Sequence, residues 1–171
     1  MTIRTSIEKA SKSVLGAIAL QTEGQPDILE TLQAEHDEVQ ELLENLSKSD
    51  NGRDQKALVS KIKAALVPHT KAEEKIVYDA VLALKGAAKV DGNEGYIEHG
   101  LASETLKKLE KLTANTPEFK AAAKVLKELV DHHIKEEESN IWARVKENFS
   151  DEQRARMNRD FLMAKKKVKV S

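Results

Sequence analysis

The sequence predicts an all-α protein: an antiparallel, up-down four-helix bundle with a short extra helix at each end. Three observations predict it. Apolar residues recur at helical spacing along one face of four long segments. Breakers are few, seven glycines and three prolines in 171 residues, and they sit mostly where helices should begin or end. The chain also repeats itself: His69-Thr-Lys-Ala-Glu73-Glu74 returns as His133-Ile-Lys-Glu-Glu137-Glu138, and Glu35-His36 and Glu98-His99 precede these at nearly equal distances. Around the two motif histidines the pairs Ile62/Leu126, Leu66/Val130, Val77/Ile141 and Tyr78/Trp142 occupy matching offsets. A duplicated helix pair brings equivalent residues of both halves to one centre.

From the N-terminus, residues 3–21 read as a short amphipathic helix packing on the body; an export signal is disfavoured because Glu8 interrupts the basic front and the apolar run Val14–Leu20 is at the minimum length. Glu23-Gly24-Gln25-Pro26 breaks the chain, and Asp27 with Glu30 forms a capping box that opens the first bundle helix, to about Lys48. Its inner stripe is His36, Val39, Leu43 and Leu46. After the turn Ser49-Asp50-Asn51-Gly52, a second helix is expected from about Asp54 to Lys85, ended by Gly86, with a kink or restart at Pro68. Gly86 to Gly95 reads as a glycine-rich loop. His99, Ala102, Leu106 and Leu109 then give the third helix a stripe like that of the first. Thr116 caps and Pro117 opens a fourth helix to about Lys146, and Ser150 with Gln153 caps a last one to about Lys166. A single domain, residues 1–171 with a core of about 27–148, is expected.

Composition excludes much. With 28 basic and 29 acidic residues the net charge is -1, so no global field draws the chain to nucleic acid or to an anionic membrane. The run Lys165-Lys166-Lys167 reads as a solvated tail. No stretch is long enough to cross a membrane, and a cytoplasmic location is expected. The absence of cysteine removes disulfides, thiolate metal sites and iron-sulfur ligation.

Residues four apart on a helix share a face, so His69 with Glu73, and His133 with Glu137, each present a nitrogen and a carboxylate inward. With His36 and His99 the centre holds four imidazoles and two carboxylates. Any single histidine with an acid one turn on is weak evidence in so acidic a chain. Two such motifs, plus two histidines at matched distances among Leu, Ile and Val, point to metal. Six ligands exceed the four of a closed zinc site and suit a pair of ions, each with two histidines and both bridged by the carboxylates. Imidazole with carboxylate favours iron, manganese or zinc over calcium or magnesium. His132 misses the register and is expected to be partly exposed, ligation through Glu136 being the alternative to His133. Glu35, Glu74, Glu98 and Glu138 lie one position off the inner face and read as solvated. Tyr78 and Trp142 are expected to pack the bundle ends. For Tyr96, one turn before His99, packing is the leading expectation and a phenol at the metal the alternative.

The order His36, His69xxxGlu73, His99, His133xxxGlu137, over about residues 27 to 148, resembles the hemerythrin-like proteins, also described as HHE cation-binding domains. That resemblance implies two iron ions in an oxo- or hydroxo-bridged diiron centre inside a four-helix bundle. It implies oxygen, nitric oxide or peroxide as the small partner. Members of that family include oxygen carriers, redox and oxygen sensors, iron-responsive domains and proteins of iron-cluster repair under nitric oxide stress. Oxygen-carrying members have a fifth histidine where this chain has Ser103, four after His99. The four-histidine set is similar to that of the repair members, although those carry a cysteine-containing N-terminal segment and this sequence has no cysteine. Ferritin-like Glu-x-x-His is absent, since Gln33, Leu66, Tyr96, Leu129 and Val130 stand three before the histidines, and there is no HExxH.

Together these features suggest a diiron protein that binds or senses oxygen, nitric oxide or iron. A diiron redox enzyme consuming peroxide, oxygen or nitric oxide, or an iron-cluster repair protein, is the alternative, and a purely structural metal site ranks last. The last helix, with Met157, Phe161, Leu162 and Met163, is expected to cap the bundle rather than form a dimer face, so a monomer or weak homodimer is expected. A chain ending at Asn148 is expected to keep its metal.

Overall fold

The computed structural model describes residues 26–170, and the helix expected over residues 3–21 lies outside them. Among the described residues there is no strand. Helix α1 is Ile28–Lys48; α2, Gly52–Glu73, runs through a π-turn, Glu74–Tyr78, into α3, Asp79–Leu82. Helix α4 is Ala88–Lys111; α5, Pro117–Glu136, runs through a second π-turn, Glu137–Ile141, into α6, Trp142–Asn148; α7 is Asp151–Lys165. The four rods pack in the cyclic order α1, α2, α4, α5, and α7 lies across α1, α2 and the first π-turn. None of these helices is long and apolar enough to cross a membrane.

The caps stand where the sequence places them. Asp27 accepts from the Leu29 amide and Glu30 reaches back to the Asp27 amide; Thr116 accepts from Phe119; Ser150 and Gln153 reciprocate. Each pairing satisfies amides that a helix start otherwise leaves unbonded. Asn51 caps α2, so that helix begins at Gly52, two residues before the expected start.

Two expectations fail for a physical reason. The glycine-rich stretch is helical from Ala88 onward, because Gly92 and Gly95 serve close packing and not flexibility. A Cβ on Gly92 would sit 3.1 Å from Leu82, and one on Gly95 would sit 2.6 Å from the Tyr78 ring. Only Gly86, at φ +73°, takes the left-handed conformation a turn requires. Pro68 does not restart its helix either. α2 continues through it, and the departure from α geometry comes after the motif histidines, at Glu74–Tyr78, five residues beyond His69, and at Glu137–Ile141, four beyond His133.

The core has two apolar floors. One gathers Val39, Leu43, Ile62, Leu106, Phe119 and Leu126; the other gathers Ile28, Leu32, Val77, Tyr78, Trp142 and Phe161. Between them lies a layer of buried His36, His69, Glu73, His99, His133 and Glu137.

Candidate metal centre

Each histidine stands on an inner stripe. His36 follows Leu32 and precedes Val39 on α1, and His99 lies between Gly95 and Ala102 on α4. His69 and His133 sit one turn beyond the buried Leu66 and Val130, at the ends of α2 and α5. All six residues singled out from the sequence come together, each less than a tenth exposed. His132 does not join them. Its side chain is 62 % exposed and lies 3.5 Å from Glu98.

The histidines are oriented by the four glutamates that sequence pattern alone assigns to solvent. His69 Nδ1 is 2.9 Å from Glu35, His99 Nδ1 3.3 Å from Glu74, His133 Nδ1 2.8 Å from Glu98 and His36 Nδ1 3.1 Å from Glu138. An ionised carboxylate only accepts, so each Nδ1–H donates and each imidazole turns its Nε2 to the centre. In every case the glutamate stands on the rod preceding its histidine around the bundle, so the bonds form a closed ring in one rotational sense. Glu35, Glu98, Glu74 and Glu138 are one residue off the inner face, which in a bundle is the groove between neighbours and not water. Burial pushes the carboxyls of Glu35, Glu74 and Glu98 up, but the facing imidazoles, with Lys165 at Glu35 and Lys71 at Glu74, hold them below their ordinary values.

Inside the ring the donors converge. Glu73 Oε2 lies 3.2 Å from His69 Nε2 and 3.4 Å from His99 Nε2; Glu137 Oε2 lies 3.3 Å from His36 Nε2 and 3.7 Å from His133 Nε2. His36, His69 and Glu73 form one group able to hold a metal ion, and Glu73, His99 and His133 another. Both oxygens of Glu73, both of Glu137 and His36 Nε2 are buried without a hydrogen-bond partner. Two unbonded carboxylates in a dry core carry a desolvation penalty of several kcal/mol each unless a cation meets them. His99 Nε2 and His133 Nε2 face each other at 3.1 Å, where two lone pairs need a positive charge between them. The protonation balance agrees: burial opposes charge on His69, yet Glu73, Glu35 and Glu137 outweigh it and lift the imidazole to about 10. Glu73, for its part, is held well below the carboxylate range by His69 and His99 despite complete burial. The donor set fits a metal pair.

Two aromatic residues expected at the bundle ends belong to the centre. The Tyr78 hydroxyl lies 3.4 Å from both His99 Nε2 and His133 Nε2. Trp142, its repeat partner, stacks on His36 with ring centroids 6.0 Å apart. Nine residues beyond the motif histidine, each would point away from the centre on an unbroken α-helix. An i→i+5 turn takes up one extra residue and rotates the helix beyond it by about 100°, which turns both rings inward. Tyr96, the alternative phenol, instead places its hydroxyl on the Glu74 carbonyl, 3.0 Å, and on Asp79, 2.9 Å. The pairing of Tyr78 with Trp142 in the repeat was the available signal; the π-turn that gives it meaning has none.

The model of the hemerythrin HHE cation binding domain matches residues 27–145. The chain belongs to that family. A curated relative of this HHE domain is named DNA nickase, from Nostoc sp. strain PCC 7120, at 28 % identity over 142 residues, which is 83 % of this chain and 40 % of the relative. The chain thus spans less than half the length of that relative. No solved structure matches it.

The HHE domain is roofed on one side by α7. Phe161, fully buried, sets its ring edge-on to His69 at 5.9 Å, and Lys165 pairs with Glu35 at 2.6 Å. Lys165 is therefore part of the centre's support and not of a solvated tail. Arg154 to Asp27, 2.6 Å, and Asn158 to the Pro26 carbonyl, 3.0 Å, pin α7 to the start of α1. On the other side a cavity of about 320 Å³ opens between α2 and α4, lined among others by Thr70, Glu74, His99, Gly100 and Ser103. It comes up to the outer side of the centre, at His99 and its partner Glu74, beside Ser103.

Proposed function

We propose that this HHE domain holds two iron ions and binds or senses a small ligand, oxygen or nitric oxide, at them. His36 and His69 hold one ion, His99 and His133 the other, and Glu73 and Glu137 span both. The observation that carries this is the burial of Glu73 and Glu137 without hydrogen bonds, each within reach of histidines from two groups. Six nitrogen and oxygen donors exceed what a structural zinc takes and suit a pair of redox-active ions. When bound, iron supplies one-electron chemistry and positions for a diatomic ligand.

This chain's residues define how that chemistry is contained. The four outer glutamates fix the imidazoles with Nε2 turned inward. The apolar floors pack above and below the donors, and the cavity beside Ser103 approaches them only at His99. The relative's name ties DNA cleavage to a protein of which this chain spans 40 %. We propose no such role for this chain.

The test is metal content of protein produced with iron, with its optical spectrum taken reduced and after oxygen or nitric oxide. About two irons per chain are expected, as two-metal centres require, with a spectrum that changes on reduction and responds to the added gas. Glu73→Ala is expected to lose iron from both positions. One zinc per chain, or iron retention unaffected by Glu73→Ala, overturns the reading. Sustained consumption of peroxide, oxygen or nitric oxide, abolished in that variant, would move the assignment to a redox enzyme.

A further inference from the structure

We propose that Tyr78 is a metal ligand: its phenol oxygen binds, as phenolate, the ion held by His99 and His133, and makes the two metal positions chemically unequal. The proposal rests on the diiron reading above.

The geometry is that of three donors on one face of an ion. Tyr78 Oη is 3.4 Å from each of two Nε2 atoms that are themselves 3.1 Å apart. Donors about 2.1 Å from a shared ion, at right angles to one another, stand about 3.0 Å apart. Tyr78 is buried, at zero exposure, and its hydroxyl meets the two imidazoles that face the ion. A phenylalanine would fill the same apolar floor.

A second observation is the place cleared for the ring. Gly95 lies within α4, where alanine is more favourable by about 1 kcal/mol. A Cβ there would fall 2.6 Å from Tyr78 Cε2 and Cζ and 2.8 Å from its oxygen. The glycine serves the ring's approach. The repeat shows the contrast. Gly95 is four residues before His99, and the residue four before His36 is Leu32, fully buried. With that slot filled, the residue opposite is Trp142, which lies flat on His36 and has no oxygen to offer. One half is built to admit a phenol to the ion and the other is not.

On ligation one oxygen–hydrogen bond breaks, one metal–oxygen bond forms and the proton leaves to bulk water; no electron moves. A phenolate lowers the charge at its ion by one and favours the ferric state there.

The experiment is resonance Raman and visible absorption of the oxidised, iron-loaded full chain. Phenolate-to-iron charge transfer with tyrosinate ring vibrations is expected in the wild type. Both signals are expected to vanish in Tyr78→Phe, with iron measured in the same sample, and to persist in Tyr96→Phe. The sequence has two tyrosines, so persistence in Tyr96→Phe assigns the signal even if Tyr78→Phe fails to fold. Two irons without tyrosinate vibrations, or a signal lost in Tyr96→Phe, overturns the Tyr78 ligand alone. Absence of iron from the wild type overturns the diiron reading and the ligand together.

Discussion

At the scale of single residues, the centre depends as much on the glutamates behind the histidines as on the donors themselves. Glu98→Gln keeps the size and an accepting oxygen on His133 Nδ1 but removes the charge that sharpens the imidazole as a ligand. Loss of such a partner typically weakens metal affinity about 10–100-fold, and competition with a coloured chelator is expected to show this for one of the two ions first. Lys124→Ala, at an exposed site on the same rod as His133, is expected to change nothing. The six residues that the fold gathers were legible in the sequence because duplication marks them: two HxxxE pairs and two lone histidines at nearly equal distances. Their glutamate supports were not, since a rotation of one residue from the inner stripe reads as solvent in a lone helix. Within a bundle that same direction meets the neighbouring rod, and only tertiary packing distinguishes the two.

Among the elements, the caps were readable because a cap is a local contract between a side chain and the next few amides. The π-turns were not, for no side-chain pattern here announces an extra residue in a turn, and so Tyr78 and Trp142 were assigned to the ends of the bundle. The last helix was recognised as a cover, yet what it covers is the centre itself. Truncation after Asn148 removes both Phe161 and Lys165, exposing His69 and freeing Glu35. Accelerated loss of iron to a chelator is therefore expected, against the sequence-based expectation of retention. Phe161→Ala tests the roof more gently: emptying a fully buried phenylalanine site costs about 3–5 kcal/mol, to be read as a lower urea midpoint. An unchanged midpoint would show that α7 rests on the bundle without sharing its stability.

For the whole molecule, the same carboxylates that attract cations penalise the fold without them. Glu73 and Glu137 leave four buried oxygens without hydrogen bonds, so metal binding and folding are coupled. Added iron is expected to raise the melting temperature, and to keep raising it with concentration. The gain is about 4 kcal/mol when free metal exceeds the dissociation constant roughly a thousandfold; calorimetry at two metal concentrations checks it. The up-down bundle itself was plain in the sequence, since two copies of one helix pair impose their own symmetry. What breaks that symmetry was hidden in it: one glycine against one leucine, one tyrosine against one tryptophan, and, among the described residues, the roof that α7 lays over one side.

The ring of histidine–glutamate bonds also dictates an order of assembly. Three of its links join residues 34, 25 and 35 apart in the chain, whereas the link from His36 to Glu138 spans 102. Short loops close at a smaller entropic cost than long ones, so the first three links are within reach of each helical hairpin and its neighbour as they emerge. The fourth waits for the last rod. Until Glu138 arrives, the His36 ring lacks the partner that fixes which nitrogen faces inward, and Glu137 is not yet in place beside it. A nascent chain therefore has no finished centre to load. Completion of the buried donor layer and the final docking of the chain are one event.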